Sequence, residues 1–324
     1  MNQLLTLLLA GAFCLGTLAQ TAAPAFPSKP IRIIVPNAAG GAADITSREV
    51  GQKLAEALGG SVIVENKPSA GGIVAGEIVS KAAPDGHTLL LVSSGTAVSA
   101  ASFKSLPFDT LKDFTPVSKL ANFDLVIAAS DRGKFNTLAD VLTYARANPG
   151  KLNIGTPQIG TTQNLAAELF KASAGIEAQL VPFNGTPPVI SALRGGEIDI
   201  MVEILGPLVP QFNSKALRPL AVMSERRTPQ FADVPTVRES GGSLAAFNAS
   251  SWNGFAAPAK TPKEVIAKLN AEIQKALKNP DVIKRLEAVS LHPGGSTPEA
   301  LGELLIADIK RWGDVMTRAK IAKQ

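Results

Sequence analysis

The chain has 324 residues, 45% of them hydrophobic and 18% charged, which suits a globular α/β protein of two domains and excludes a disordered, collagen-like or solenoid chain. The formal charge of +5 comes from Lys and Arg scattered among acidic residues, with aromatics at only 5%. This argues against nucleic-acid binding and for a solvated, mildly basic surface that helps recruit small anions.

Residues 1–25 read as a secretory signal peptide that is cleaved, which places the mature protein in the periplasm. No Lys, Arg, Asp or Glu precedes Lys29, and Leu4 to Leu18 is almost wholly apolar, too short and too early for an internal membrane span. The leader lacks the usual basic start, and cleavage after Ala19 or after Ala25 fits equally well. The one cysteine, Cys14, follows Phe13 rather than a small residue, which disfavours lipid attachment. Cleavage removes it, leaving no disulfide framework and no thiol chemistry.

Strand-like runs then alternate with helical patterns. Ile31–Val35 leads into a helix ending at Leu58, followed by Val62–Glu65, a Gly-rich turn at Ser69–Gly72, a short helix and Thr88–Val92. A second series runs through Leu125–Ala129, a helix at Leu138–Ala147, Asn153–Ile154, a helix at Leu165–Ala174, Ala178–Pro182, a helix at Val189–Arg194 and Ile198–Val202. Such alternation predicts parallel strands joined by right-handed crossovers in two α/β units. Leu217–Met223 is a further strand candidate, and Ser251–Pro258 leads into the terminal helices. Two terminal helices start at Thr261-Pro262-Lys263-Glu264 and Thr297-Pro298-Glu299, each with a capping Thr before Pro.

Two segments repeat one device. Ile31–Val35 runs into Pro36-Asn37-Ala38-Ala39-Gly40-Gly41-Ala42-Ala43-Asp44, and Leu152–Gly155 runs into Thr156-Pro157-Gln158-Ile159-Gly160-Thr161-Thr162; a helix follows each. A helix start carries unsatisfied N–H donors and partial positive charge, and small residues there let an anion approach the backbone. Two such turns face to face make a clamp for carboxylates. The adjacent glycines Gly40 and Gly41 do not match a dinucleotide or phosphate-loop fingerprint. Asp44 reads as a helix cap, with ligand contact as the alternative. Capping by one of Thr161 and Thr162 leaves the other hydroxyl and the Gly160 and Thr161 amides for an anion. Glu203, ending an apolar strand, is open to two readings, a structural hydrogen bond or a partner for a ligand amine.

The chain resembles the periplasmic solute-binding receptors of tripartite tricarboxylate transport, also called the Bug family. The likeness rests on Pro36…Gly40-Gly41…Asp44…Arg48, Val64-Glu65-Asn66-Lys67-Pro68…Gly71-Gly72, Ala83-Pro84-Asp85-Gly86-His87-Thr88-Leu89 and Leu106-Pro107-Phe108-Asp109…Asp113-Phe114. It continues through Leu165-Ala166-Ala167-Glu168-Leu169-Phe170, Gly195-Gly196-Glu197-Ile198-Asp199, Val234-Pro235-Thr236-Val237 and Pro258-Ala259-Lys260-Thr261-Pro262. The resemblance implies an α/β, two-lobed periplasmic-binding-protein fold of the type II, Venus-flytrap kind. One lobe would comprise residues 26–123 and 250–324, the other residues 124–249. It also implies a small carboxylate or amino acid in the interlobe cleft, delivered to a membrane transporter or sensor by a monomer. Carried over by position, Ala38, Ala39, Gly40, Gly41 and Ala42, then Ser93 to Thr96, Gly160, Thr161 and Thr162, Phe183, Asn184 and Gly185, and Glu203 would line that cleft. Three departures bear on ligand identity: Ala39 stands where Pro is usual, Asn164 where His is common, and Glu203 where Asp is usual.

No cofactor is expected. His87 and His292 lack neighbours at metal spacing, and Ser93-Ser94-Gly95 is not a nucleophile elbow, since G-x-S-x-G is absent. The competing reading is a secreted enzyme acting on a small carboxylate, with Glu203 or Asp44 as general base.

Overall fold

The computed structural model describes residues 26–318 and 321–323; the signal expected over residues 1–25, with Cys14, lies outside them. The β-branched run of β1 (Ile31–Val35) pairs in parallel with β2 (Val62–Asn66) and β3 (Thr88–Ser93). Between β1 and β2 lies α1 (Ala42–Leu58), and before β3 lies α2 (Ile73–Ser80). These are the parallel crossovers that the alternating pattern predicts. An element absent from that reading, α3 (Ser94–Ser102), follows β3 directly. The Ser93 hydroxyl accepts from Gly95 N–H at 3.1 Å and Thr96 Oγ1 accepts from Ser93 N–H at 3.0 Å, so what looks like a polar turn is a helix start.

The strand expected at Leu125–Ala129 is the far half of a longer one, β4 (Phe114–Ser130). The near half of β4 pairs antiparallel with β9 (Ser250–Pro258), from Phe114 opposite Pro258 to Asp124 opposite Ser250. From Leu125 onward its partners are β7 (Ile200–Ile204) and β8 (Leu217–Val222). One strand thus belongs to two groups, and the exchange falls at Asp124 and Leu125.

Beyond the exchange, α4 (Leu138–Ala147), β5 (Leu152–Thr156), α5 (Thr162–Ala174), β6 (Ala178–Pro182) and α6 (Thr186–Gly195) lead to β7, and a short α7 (Val209–Asn213) precedes β8. β5 pairs in parallel with β6 and β7. The chain returns at Ala249, whose N–H donates to Met223 O at 2.7 Å, and β9 re-enters the first group beside β3. The hydrogen-bonded order is β2-β1-β3-β9-β4-β7-β5-β6, a mixed α/β architecture in two lobes.

The C-terminal part holds three helices rather than two: α8 (Lys263–Leu277), α9 (Pro280–Glu287) and, after β10 (Leu291–Pro293), α10 (Pro298–Arg318). Ile266, Leu269 and Ile273 of α8 pack with Ile33, Leu91 and Phe255 under α1. Leu301, Leu305 and Trp312 of α10 join the largest buried cluster, which runs through Leu125 and Ile127 of β4 to Phe170 of α5 and so bridges both lobes. Thr297 caps α10 as the sequence predicts, accepting from Ala300 N–H at 3.2 Å. Thr261 does not cap α8, because its hydroxyl donates to Pro258 O at 2.8 Å. Among the described residues no helix is long and apolar enough to cross a membrane.

Candidate functional site

The two turns singled out in the sequence have the same backbone. Gly40 and Gly160 both sit at φ +83°, and each is followed by an extended N-cap, Gly41 (φ −89°, ψ 171°) before α1 and Thr161 (φ −90°, ψ 157°) before α5. A positive φ at these positions is what glycine supplies without steric cost. Both turns line one cleft between the lobes.

Three further helix starts point into the same space. The N-caps Gly72 of α2, Ser93 of α3 and Gly185 of α6 join Gly41 and Thr161 on the cleft wall. Each helix leaves its first N–H groups without intrahelical partners and carries partial positive charge there. Among the described residues no Lys, Arg, His, Asp or Glu side chain is on the lining. Five helix starts around an uncharged wall give a field that attracts a small anion, with main-chain N–H, hydroxyl and carboxamide groups as the partners available to it.

Not every amide foreseen as free is free. Asp44, 5% exposed, reaches back so that Oδ2 accepts Gly40 N–H at 3.0 Å while Oδ1 takes Arg48 Nε at 3.0 Å. Burial pushes its carboxyl up, but Arg48, the Gly40 amide and Asn66 outweigh this and hold it below the ordinary carboxylate range. Asp44 therefore braces the first turn as an anion from behind and consumes one amide. In the second turn Thr161 N–H donates to Gln158 O at 3.2 Å, and Thr161 Oγ1 accepts Asn164 N–H at 3.2 Å. Thr161 caps α5 with its side chain and its own amide is engaged, which corrects the expectation that this amide stays open. Gly41 caps α1 with no side chain, so the first N–H groups of that helix have no such competitor.

The lobes touch across the cleft. Gly71 N–H donates to Ile159 O at 3.0 Å, Ser99 Oγ donates to Gly160 O at 2.9 Å, and a Cβ on Gly185 would come within 2.5 Å of the Ala38 methyl. The floor is made by the crossover strands, with Phe123 of β4 and Ser251 and Asn253 of β9. Ser251 Oγ donates to Thr162 Oγ1 at 3.4 Å.

Of the residues proposed from sequence, Ala38, Gly41, Ala42, Ser93, Thr96, Gly160, Thr161, Thr162 and Gly185 lie on the cleft wall. Ala39 and Gly40 are exposed and off the wall. Phe183 packs half-buried against the cluster under α6, and Asn184 is exposed, its Oδ1 accepting from Gln158 Nε2 at 3.1 Å. Asn164 Nδ2 donates to Thr156 Oγ1 at 3.0 Å, away from the cleft. Glu203, 1% exposed, stands behind the wall, where Oε1 accepts Gln163 Nε2 and Ile204 N–H, both at 2.7 Å. Burial dominates there and pushes its carboxyl up to about 7, against the lowering effect of Gln163, Ile204 N–H and Thr186. Gln158, Gln163, Thr186, Phe108, Phe123 and Asn253 line the cleft without having been foreseen. Gln158 lies within a turn already singled out, Gln163 just after it, and Thr186 follows Gly185, whereas Phe123 and Asn253 belong to no motif read from the sequence. Among the described residues no three His, Cys, Asp or Glu gather to hold a metal ion.

A family model described as "Tripartite tricarboxylate transporter family receptor" matches residues 46–321. A relative encoded in the tcbD–tcbE intergenic region of a Pseudomonas species is 36% identical over 297 residues, 92% of this chain and 88% of that protein. Two solved structures superpose over nearly the whole chain. MatC from Rhodopseudomonas palustris, with bound malate, has a TM-score of 0.85 at 32% identity, covering 90% of this chain and 99% of that one. A second protein of R. palustris, with adipate, has a TM-score of 0.87 at 29% identity, covering 92% and 99%.

Proposed function

Since the chain belongs to the tripartite tricarboxylate transporter receptor family, a family of periplasmic solute-binding receptors rather than enzymes, we propose that it captures a small organic carboxylate between its lobes and presents the closed form to a membrane transporter or sensor. The observation that carries this reading is the convergence of five helix N-caps on a cleft without charged side chains. Such a wall stabilises a negative charge through fixed main-chain dipoles and can release it again, as a carrier must. The malate and adipate held by the two structural relatives are of the same chemical class.

The lobes comprise residues 26–123 with 250–324, and residues 124–249; the exchange of strand partners at Asp124 and Leu125 and the return at Ala249 support these limits. A ligand touching both lobes favours the closed arrangement by its differential affinity. The leader is removed on export, and the mature protein acts as a monomer that does not bind nucleic acid.

The competing enzyme reading needs a carboxylate that reaches substrate. Asp44 is held by Arg48 and the Gly40 amide, and Glu203 by Gln163 and Ile204 N–H, both off the cleft wall. We therefore assign neither a catalytic role. A thermal-shift screen of mono-, di- and tricarboxylates, amino acids and aromatic acids on leader-free protein tests the proposal. A receptor gains melting temperature with at least one acid and leaves it chemically intact; consumption of the acid, or no shift with any of them, overturns it.

A further inference from the structure

Among the described residues on the cleft wall, Asn253 is the one whose side-chain nitrogen and oxygen are both buried and unused. It is 0% exposed, and neither Nδ2 nor Oδ1 has a hydrogen-bond partner. Buried carboxamides are ordinarily satisfied, and leaving both a donor and an acceptor unmet is costly. Its neighbours in the sheet cannot serve it. Asn253 lies opposite Ser93 of β3 on one side and Ala121 of β4 on the other. Ala121 has no polar side chain, and the Ser93 hydroxyl turns to Gly95 N–H and makes no bond to Asn253.

Its position on the floor is set by strand periodicity. Side chains two apart on a strand share a face, so Asn253 follows Ser251 on one side of β9, roughly 7 Å further from the second lobe. Ser251 reaches Thr162 at the start of α5, whereas Trp252, on the other face, binds Asp308 of α10. Asn253 therefore lies beside Ser93, the N-cap of α3, at the first-lobe end of the same cleft.

Resting on the reading that the helix starts hold a carboxylate, we infer that Asn253 is a specificity residue that recognises an uncharged donor–acceptor group elsewhere on the ligand, so that the protein selects hydroxylated or amidated carboxylates over their plain counterparts. A hydroxyl or carboxamide meets Nδ2 and Oδ1 together. A methylene meets neither, and an ionised carboxylate, which only accepts, leaves Oδ1 facing an anion.

The test is calorimetry on leader-free protein with matched pairs: propionate and lactate, succinate and malate, butyrate and succinamate. In at least one pair the hydroxylated or amidated member binds roughly tenfold tighter or more, and Asn253→Leu brings the affinity ratio of the pair within about twofold. Asn253→Ser, a smaller change that folds if the leucine does not fit, reduces the same ratio. Equal affinity within every pair, or a preference that survives both substitutions, overturns the inference while leaving carboxylate capture intact. Failure of every acid to bind overturns the capture reading and this one with it.

Discussion

The backbone N–H of Gly71, in the turn after β2, donates to the carbonyl oxygen of Ile159, in the turn after β5, across 3.0 Å. Main chain of one lobe thus bonds main chain of the other directly over the cleft, and the approach is possible only because side chains are missing there. A Cβ on Gly160 would lie 2.8 Å from Gly71 Cα and 2.8 Å from the Phe103 ring, at a φ of +83°. Gly160→Ala should therefore hold the lobes apart without disturbing either core. Ligand affinity is expected to fall about 100-fold, far-UV circular dichroism to stay unchanged, and the scattering envelope with saturating ligand to stay wider than that of the wild type. An unaltered affinity would remove this contact from the closed, ligand-holding state.

The first turn admits a cleaner test. Gly41 is extended, with φ −89°, so any L residue fits its backbone, and a Cβ there meets Thr186 Oγ1 at 3.3 Å and Ala38 O at 3.8 Å. Gly41→Asp installs a standard N-cap whose carboxylate occupies the very N–H groups offered to a ligand and repels the incoming charge. The expected result is a loss of carboxylate binding of about 100-fold or more with melting temperature kept within a few degrees. Calorimetry showing wild-type affinity would separate this turn from the site.

The twin turns were legible because strand, glycine and helix start lie within about a dozen residues of each other, and the chemistry of a helix N-terminus is local. Which amides remain open was not legible. That depends on Asp44 folding back to Gly40 N–H and on Thr161 bonding Gln158, and both alternatives were compatible with the same letters. β4 was half seen, because Pro116, Lys119 and Asn122 break the apolar run and the ladder shifts register at Pro116/Ser118 and Lys119/Ala121. Asn253 carried no signal at all: its importance comes from strand neighbours far away in the chain, and a strand position acquires meaning only once register decides which face it shares.

Glu203 gives the protein a pH dependence that can be isolated. Its carboxyl is raised from 4.5 to about 7 by burial. The folded state therefore holds a proton that the unfolded chain has already released between those values. Stability contributed by this group is complete below about pH 4.5 and declines as pH rises towards 7, reaching a penalty of about 3 kcal/mol above it. Glu203→Gln keeps the oxygen that accepts Gln163 Nε2 and Ile204 N–H and cannot ionise. The difference in unfolding free energy between variant and wild type should be flat below pH 4.5, grow in favour of glutamine up to pH 7, and level off beyond. Denaturant melts from pH 4 to 9 read that difference, and parallel curves would mean that Glu203 titrates normally.

The start of α3 is held from behind by the C-terminal helix, and that support has a measurable strength. Asp308, 5% exposed, accepts Trp252 Nε1 and Ser94 Oγ at Oδ2, both at 2.8 Å, and Arg311 Nε at Oδ1, also at 2.8 Å. Trp312 Nε1 in turn donates to Ser94 Oγ at 3.2 Å, so one indole, a hydroxyl and a guanidinium converge on the carboxylate and a second indole holds that hydroxyl. Asp308→Asn has nearly the same shape but only one accepting atom. If its NH2 faces Trp252, a buried N–H meets another donor; if it faces Arg311, the guanidinium loses its acceptor and its counter-charge. Ser94 can rotate its proton away, but the indole cannot. The substitution should cost about 2–3 kcal/mol, lowering the melting temperature by roughly 5–10 °C and altering tryptophan emission. A melt indistinguishable from wild type would show that α10 holds α3 by apolar packing of Leu301, Leu305 and Trp312 alone.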